Sequence, residues 1–170
     1  MIWIITDTHF NHTNIQEFCD RPDNAEERMV KALWAVPEED TLVHLGDVCL
    51  GGDVKTHLEL IDKLPCTKIL VRGNHDRRSN NWYTAHGWHF VCRSFRDHFG
   101  GKDILFSHVP VERPLFAQKG DSLWDLNIHG HCHNNKRDVM DDKYHLLLAV
   151  ETNLGYKPMK IDTILKKFGK

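Results

Sequence analysis

The chain lacks a Cys-x-x-Cys pair, a long apolar run and an excess of either charge, and each absence removes a class of protein. Its five cysteines, Cys19, Cys49, Cys66, Cys92 and Cys132, are odd in number and far apart. That argues against a disulfide framework or a zinc finger and for the reduced thiols of a cytoplasmic protein. No stretch approaches membrane-spanning length. Met1–Thr6 is too short for the apolar region of a signal peptide and lacks a basic start. The expectation is a cytoplasmic protein without a membrane partner. With 22 basic and 24 acidic residues and a formal charge of −2, no broad basic surface advertises nucleic acid, although a small nucleotide or a strand end remains admissible. Repeats, low-complexity tracts and linkers are missing too. A chain of 170 residues suits one domain with a sizeable core, so residues 1–170 are expected to form a single domain.

What the chain does have is histidine, 13 in all. Scattered surface and core imidazoles are one explanation, transition-metal ligation the other. The local rhythm places them. Ile2–Ile5 is apolar without alternation, as in a strand covered on both faces. Asp23 or Asn24 can cap a helix with Glu26 and Glu27 in its first turn, Met29, Val30, Leu33 and Trp34 at helical spacing, and Pro37 as its stop. Leu42–Leu45 reads as a strand. Asp53 opens an amphipathic segment through Val54, Leu58, Ile61 and Leu64, closed by Pro65. Ile69–Val71 is a third strand. This alternation implies parallel strands with helical crossovers. Phe90–Phe99 and Asp103–Phe106 then look like a hairpin around Gly100-Gly101. Residues 109–123 form the longest loop-like stretch. Strands follow at Leu126–His129 and Leu146–Val150, the latter after a polar turn at Asp141-Asp142. Ile161, Ile164, Leu165 and Phe168 fit a short helix capped by Asp162.

Five islands of metal-seeking residues stand beside these strand ends: Asp7-Thr8-His9, Gly46-Asp47, Gly73-Asn74-His75-Asp76, Ser107-His108 and Gly130-His131-Cys132-His133. Carboxylate, imidazole and amide oxygen are what two hard cations and a phosphate ester need. Loops at the carboxyl ends of parallel strands are also where ligands bind in α/β sheets. Residues two apart in an extended segment point the same way, which pairs Asp7 with His9 and His131 with His133 and turns Cys132 away. Gly46, Gly73 and Gly130 suit close backbone approach or positive φ. Singly, Asp7-x-His9 and Gly46-Asp47 read equally well as ordinary turns, and the last island as a structural metal clip. Jointly, a purely structural origin is hard to sustain.

In this order the islands resemble the calcineurin-like metallophosphoesterase superfamily, whose signature is D-x-H, G-D, G-N-H-D/E, H and G-H-x-H. The blocks span residues 7 to 133. Asp7–His12, with Asn14-Ile15 and Cys19–Pro22, is similar to a subset of short bacterial and bacteriophage members. The resemblance implies a four-layer α/β/β/α sandwich of two facing mixed β-sheets and two adjacent cations. Asp7, His9, Asp47 and His133 would hold one. Asp47 would bridge to the other, held also by Asn74, His108 and His131. His75 would touch substrate without ligating, and Asp76 would orient its ring. Many relatives carry a further acid after the G-D block, where this chain has the apolar Val48-Cys49-Leu50-Gly51-Gly52, which suggests altered support around the site rather than a lost ligand.

The expected activity is hydrolysis of phosphoric esters. Two cations ~3.5–4 Å apart can hold a bridging hydroxide and clamp the phosphoryl oxygens for in-line attack. Mixed Asp/His/Asn donors suit Mn²⁺ first, with Fe, Co²⁺, Zn²⁺ or Ni²⁺ as alternatives. Substrate contacts are sought at His12, Asn74, Arg21 and Arg77, with Arg72 and Arg78 as further charges. His44 reads as a core imidazole and His129 as either core or support for the site. His57, His86, His89, His98 and His145 read as surface or packing residues. Trp82, Trp88 and Trp124 could stack a base or fill the core. About thirty residues separate His75 from His108, too few for a cap domain. An open site favours a phosphodiesterase acting on nucleotides, cyclic nucleotides or nucleic-acid ends. The rivals are a phosphomonoesterase for nucleotides or phosphoproteins and a binding scaffold without turnover.

Overall fold

A computed structural model describes residues 1–112, 124–134 and 143–168. Two mixed sheets carry the fold. In the first, the apolar strands β1 (Ile2–Ile5), β2 (Thr41–His44), β3 (Thr67–Val71) and β4 (Phe90–Cys92) run parallel, and the two-residue β9 (Met159–Lys160) closes the edge antiparallel, in the order β4-β3-β2-β1-β9. In the second, β5 (Ser94–Phe99) pairs antiparallel with β6 (Lys102–Ser107), and β6, β7 (Leu126–His129) and β8 (His145–Leu147) are parallel. One apolar cluster takes Ile4, Ile5, Leu42 and Val43 from the first sheet and Ile104, Phe106 and Ile128 from the second. The helices α1 (Ile15–Cys19), α2 (Ala25–Trp34), α3 (Asp53–Thr56), α4 (Asn80–Thr84) and α5 (Ile161–Phe168) complete the expected α/β/β/α sandwich.

Four expectations need correction. The stretch Phe90–Phe99 is two strands rather than one arm of a hairpin: β4 hydrogen-bonds β3 in the first sheet and β5 pairs β6 in the second, so the chain changes sheets at Arg93. Helices α1 and α4 escape a periodicity search because each has only five residues. Asp162 lies inside the first turn of α5, not at its cap. The stripe Val54, Leu58, Ile61, Leu64 does not form one buried face: Ile61 and Leu64 are buried while Val54 and Leu58 are exposed. Asn24 does stand at the N-cap of α2, without a capping side-chain bond. After β8 the chain enters a π-helical turn over Val150–Leu154 rather than continuing as strand to Val150. Of the long loop expected over 109–123, residues 113–123 lie outside the described residues, as does the turn at Asp141-Asp142.

Candidate metal centre

All five islands lie in loops that leave the ends of β1, β2, β3, β6 and β7. Backbone bonds from Asp7 N–H to Gly46 O (2.9 Å), His9 N–H to Asp47 O (3.0 Å) and Phe10 N–H to Val48 O (3.0 Å) join the first two loops. The second sheet reaches them through His108, whose Nδ1 lies 2.8 Å from Leu45 O, and through His131 N–H, 3.0 Å from Asp7 Oδ2. The extended geometry expected for 7–9 and 131–133 is not found. Asp7, His9, Asp47, His131 and His133 have φ of 51°, 48°, 56°, 71° and 49°. Left-handed backbone is uncommon outside glycine and costs free energy that the surroundings must offset. Five such residues in one cluster mark a site whose side-chain directions, not its backbone comfort, are fixed. Two glycines make the close approach possible, for a Cβ on Gly73 would collide with the Asp47 carboxylate and one on Gly130 with Thr6 and Asp7.

The island side chains converge in two groups, Asp7 with His9 and His133, and Asp47 with His108 and His131, and a third set joins Cys19 and Glu151 to His133 from outside the islands. His133 Nε2 and His9 Nε2 stand 3.7 and 3.9 Å from Asp7 Oδ1. Asp47 Oδ2 stands 3.6 Å from His9 Nε2 in one group and 3.3 Å from His108 Nε2 in the other. Asn74 Oδ1 lies 3.0 Å and His131 Nδ1 3.2 Å from the same His108 Nε2. Asp47 Oδ1 is occupied, accepting from His75 N–H at 2.8 Å. Its Oδ2 is thus the atom shared between the groups.

These donors fit divalent cations better than they fit one another. Asp7 Oδ2 accepts from Thr6 Oγ1 (2.5 Å) and His131 N–H, while Oδ1 is buried without a partner. His9 Nε2 is likewise buried and unpartnered. His108 donates through Nδ1 to Leu45 O, so its Nε2 lone pair faces Asn74 Oδ1 and Asp47 Oδ2, acceptors like itself. Buried acceptors aimed at acceptors are costly unless a cation or proton sits between them. With protons alone, and against the opposing effect of burial, Asp47 and Asp7 raise His108 to about 9, and Cys19, Glu151 and Asp7 raise His133 to about 10. The Asp7 and Asp47 charges serve a cation equally well.

The support of the centre is where sequence reading went astray. Asp76 does not orient the His75 ring. Its carboxylate accepts from the backbone N–H groups of Asp47 (2.8 Å), Val48 (3.1 Å) and Gly73 (2.8 Å) and so clamps the β2 and β3 loops together. Arg21 is not available to a phosphate. It is buried, donating from Nη1 to Thr8 O (2.7 Å), from Nη2 to Asp7 O (2.6 Å) and from Nε and Nη2 to Glu151 Oε1 (2.8 and 2.6 Å). Glu151 also faces His133 Nδ1 at 3.0 Å, which leaves Nε2 for the centre. Sequence reasoning missed Glu151. The available signal was an acid directly behind an apolar run, as at Asp7 and Asp47. His44 is a satisfied core imidazole: Gly46 N–H reaches Nδ1 at 3.1 Å, Nε2–H donates to Thr8 Oγ1 at 2.9 Å, and Thr8 passes its own proton to Val48 O at 2.8 Å.

His75 lies outside both groups, its side chain 30% exposed, with Nε2 3.9 Å from Asp47 Oδ2 and Nδ1 buried without a partner. His12 is half-buried with its ring 5.6 Å from that of His9. Arg77 is exposed beside His75, whereas Arg72 is taken up by Asp76 O and Asn80 and Arg78 by Asp53. Cys132 is buried and belongs to neither group. His129 is buried against Gly130 O, and burial lowers it to about 4. Trp88 and Trp124 are buried, and Trp82 stacks on His86 at 3.9 Å. His57 and His145 pack inside, His57 against Trp82, Tyr83 and Trp88. Among the described residues no helix is long and apolar enough to cross a membrane.

Comparison with known proteins agrees with this geometry. The family profile of calcineurin-like phosphoesterases matches residues 1–164. The uncharacterised protein MJ1445 of Methanocaldococcus jannaschii is 31% identical over 180 residues, taking in 97% of this chain and 89% of that protein. The crystal structure of AQ665 from Aquifex aeolicus, a protein of unknown function, superposes with a TM-score of 0.77 at 30% identity, covering 98% of each chain. A structurally and functionally characterised archaeal phosphodiesterase superposes with a TM-score of 0.49 at 18% identity over 87% of this chain and 82% of that one, too remote to bear on the chemistry.

Proposed function

The chain belongs to the calcineurin-like phosphoesterase family, and from that premise, which makes it a metal-dependent phosphoesterase, we propose that it cleaves phosphodiesters of nucleotides, cyclic nucleotides or nucleic-acid ends. Asp7, His9, Asp47 and His133 would hold one cation, and Asp47, Asn74, His108 and His131 the other. The observation that carries the reading is Asp47 Oδ2, set 3.6 and 3.3 Å from an imidazole nitrogen of each group. When bound there, two cations would polarise the phosphoryl oxygens and neutralise charge developing in the displacement. The mixed oxygen and nitrogen donors favour Mn²⁺.

The chain's own residues supply the rest. Asp76 and Arg21 hold the loops, and Glu151 fixes the His133 ring. His75 stands at the margin as the general acid. Water's oxygen bonds to phosphorus and gives up one proton to solvent, the bond to the leaving alcohol breaks with its electron pair on that oxygen, the His75 proton ends there, and His75 regains a proton from solvent. Such a transfer is typically worth about 10²–10⁴-fold.

Diesters are favoured over monoesters by the fate of the arginines. A dianion calls for fixed guanidinium groups, yet Arg21, Arg72 and Arg78 are bonded within the protein, and of the two arginines that rim the site, Arg77 and Arg78, the second is already paired with Asp53. Presence of the full donor set together with His75 disfavours a scaffold without turnover. Hydrolysis of bis(4-nitrophenyl) phosphate and 4-nitrophenyl phosphate with Mn²⁺ at equal concentration tests the reading. The diester is expected to be cleaved faster, and a strong monoester preference would replace the proposal with a phosphomonoesterase.

A further inference from the structure

Beside His75 the surface opens into a cleft of about 810 Å³ that Leu50, Val54, Leu58 and Arg77 line with it. The three aliphatic side chains are 36%, 48% and 44% exposed. Their exposure has a backbone cause. Helix α3 runs directly into a π-helical turn over His57–Ile61, closed by Asp62 N–H bonding His57 O at 2.7 Å. The wider turn rotates the apolar stripe, so His57, Ile61 and Leu64 face the core while Val54 and Leu58 look into the cleft. A π turn set into a helix is frequent at functional sites. Here it holds apolar surface in solvent that a regular helix would turn toward the core.

The cleft shares His75 with the metal centre. A second cavity, about 290 Å³, is lined by His9, His12 and Arg21 without His75. Arg78 is held by Asp53 at 3.3 Å and lies over Trp82 at 5.5 Å, which fixes one wall. Arg77 leaves the backbone where its N–H bonds His75 O at 3.0 Å.

We propose that this cleft binds the leaving group of the diester, a flat apolar alcohol such as a nucleoside or a phenol. Its body rests on Leu50, Val54 and Leu58, with the Arg77 guanidinium against its face or edge. The inference rests on the phosphodiesterase reading, because the oxygen that His75 protonates must lie on the His75 side of the centre.

The test compares methyl 4-nitrophenyl phosphate with bis(4-nitrophenyl) phosphate, which share a leaving group and differ in the retained one. In the Mn²⁺-loaded protein, Val54→Ser/Leu58→Ser should raise KM about tenfold on both substrates with little change in kcat, the scale expected for trimming an apolar pocket. A loss on the bis-aryl ester alone would place the retained group in the cleft and overturn the proposal, as would no loss on either. Failure of the unmodified protein to cleave any diester would instead overturn the phosphodiesterase reading. Binding in the cleft is read independently of turnover by titrating adenosine into methyl-labelled protein. Shifts confined to Leu50, Val54 and Leu58 are expected, and unmoved methyls would overturn the assignment.

Discussion

Glu151 Oε1 lies 3.0 Å from His133 Nδ1 and 2.6 Å from Arg21 Nη2, so one buried carboxylate both sets the His133 tautomer and anchors the arginine that holds the Asp7 loop. Partners of metal-bound histidines typically contribute 10–100-fold to affinity. Glu151→Gln should weaken the cation held by Asp7, His9 and His133 by about that factor and leave the other near its original affinity, as Mn²⁺ titration would show. Glu151→Ala leaves the Arg21 charge buried and unpaired and should cost about 3–5 kcal/mol of folding stability by denaturant titration.

Asp76 acts on backbone rather than on the His75 ring, and kinetics can tell the difference. Asp76→Asn replaces one acceptor oxygen by a donor facing N–H groups. It should lower the melting temperature and reduce kcat by the same factor on nitrophenyl and alkyl esters. A loss confined to alkyl esters, whose leaving oxygens need a proton, would return Asp76 to the role of orienting His75.

His75→Ala should show the opposite pattern. A nitrophenolate leaves readily unprotonated, whereas a ribose or alkyl oxygen does not. The variant should lose about 10²–10⁴-fold on nucleoside or alkyl diesters, far less on nitrophenyl diesters, and no metal. Equal losses on both would show that His75 positions the phosphate instead.

Buried neutral imidazoles set the acid limit of stability. Burial lowers His44 to about 3 and His129 to about 4, and also lowers His57. The unfolded chain protonates these rings near pH ~6.5. From there down to the folded values the unfolded state binds more protons, so stability falls as pH falls. Melting temperatures should drop steadily below about pH 6.5, and less steeply in His57→Gln. An unchanged slope would remove His57 from the account.

The strands and the ligand islands were legible because both are local. An apolar run such as Ile2–Ile5 and the acid behind it lie side by side in sequence. What resisted reading was set by distant partners. The exchange of sheets at Arg93 depends on which strands β4 and β5 find, the rotation at Leu58 on a π turn, and the roles of Arg21 and Asp76 on backbone groups of other loops. Glu151 is 130 residues from Arg21 in sequence, and no spacing rule joins them.

The central claim, two cations bridged by Asp47, is tested most directly by counting metal in protein saturated with Mn²⁺ and freed of excess. Two ions per chain are expected, with both sites impaired in Asp47→Asn and chiefly one weakened in His133→Ala. A single ion at full occupancy in the unmodified chain would contradict the account.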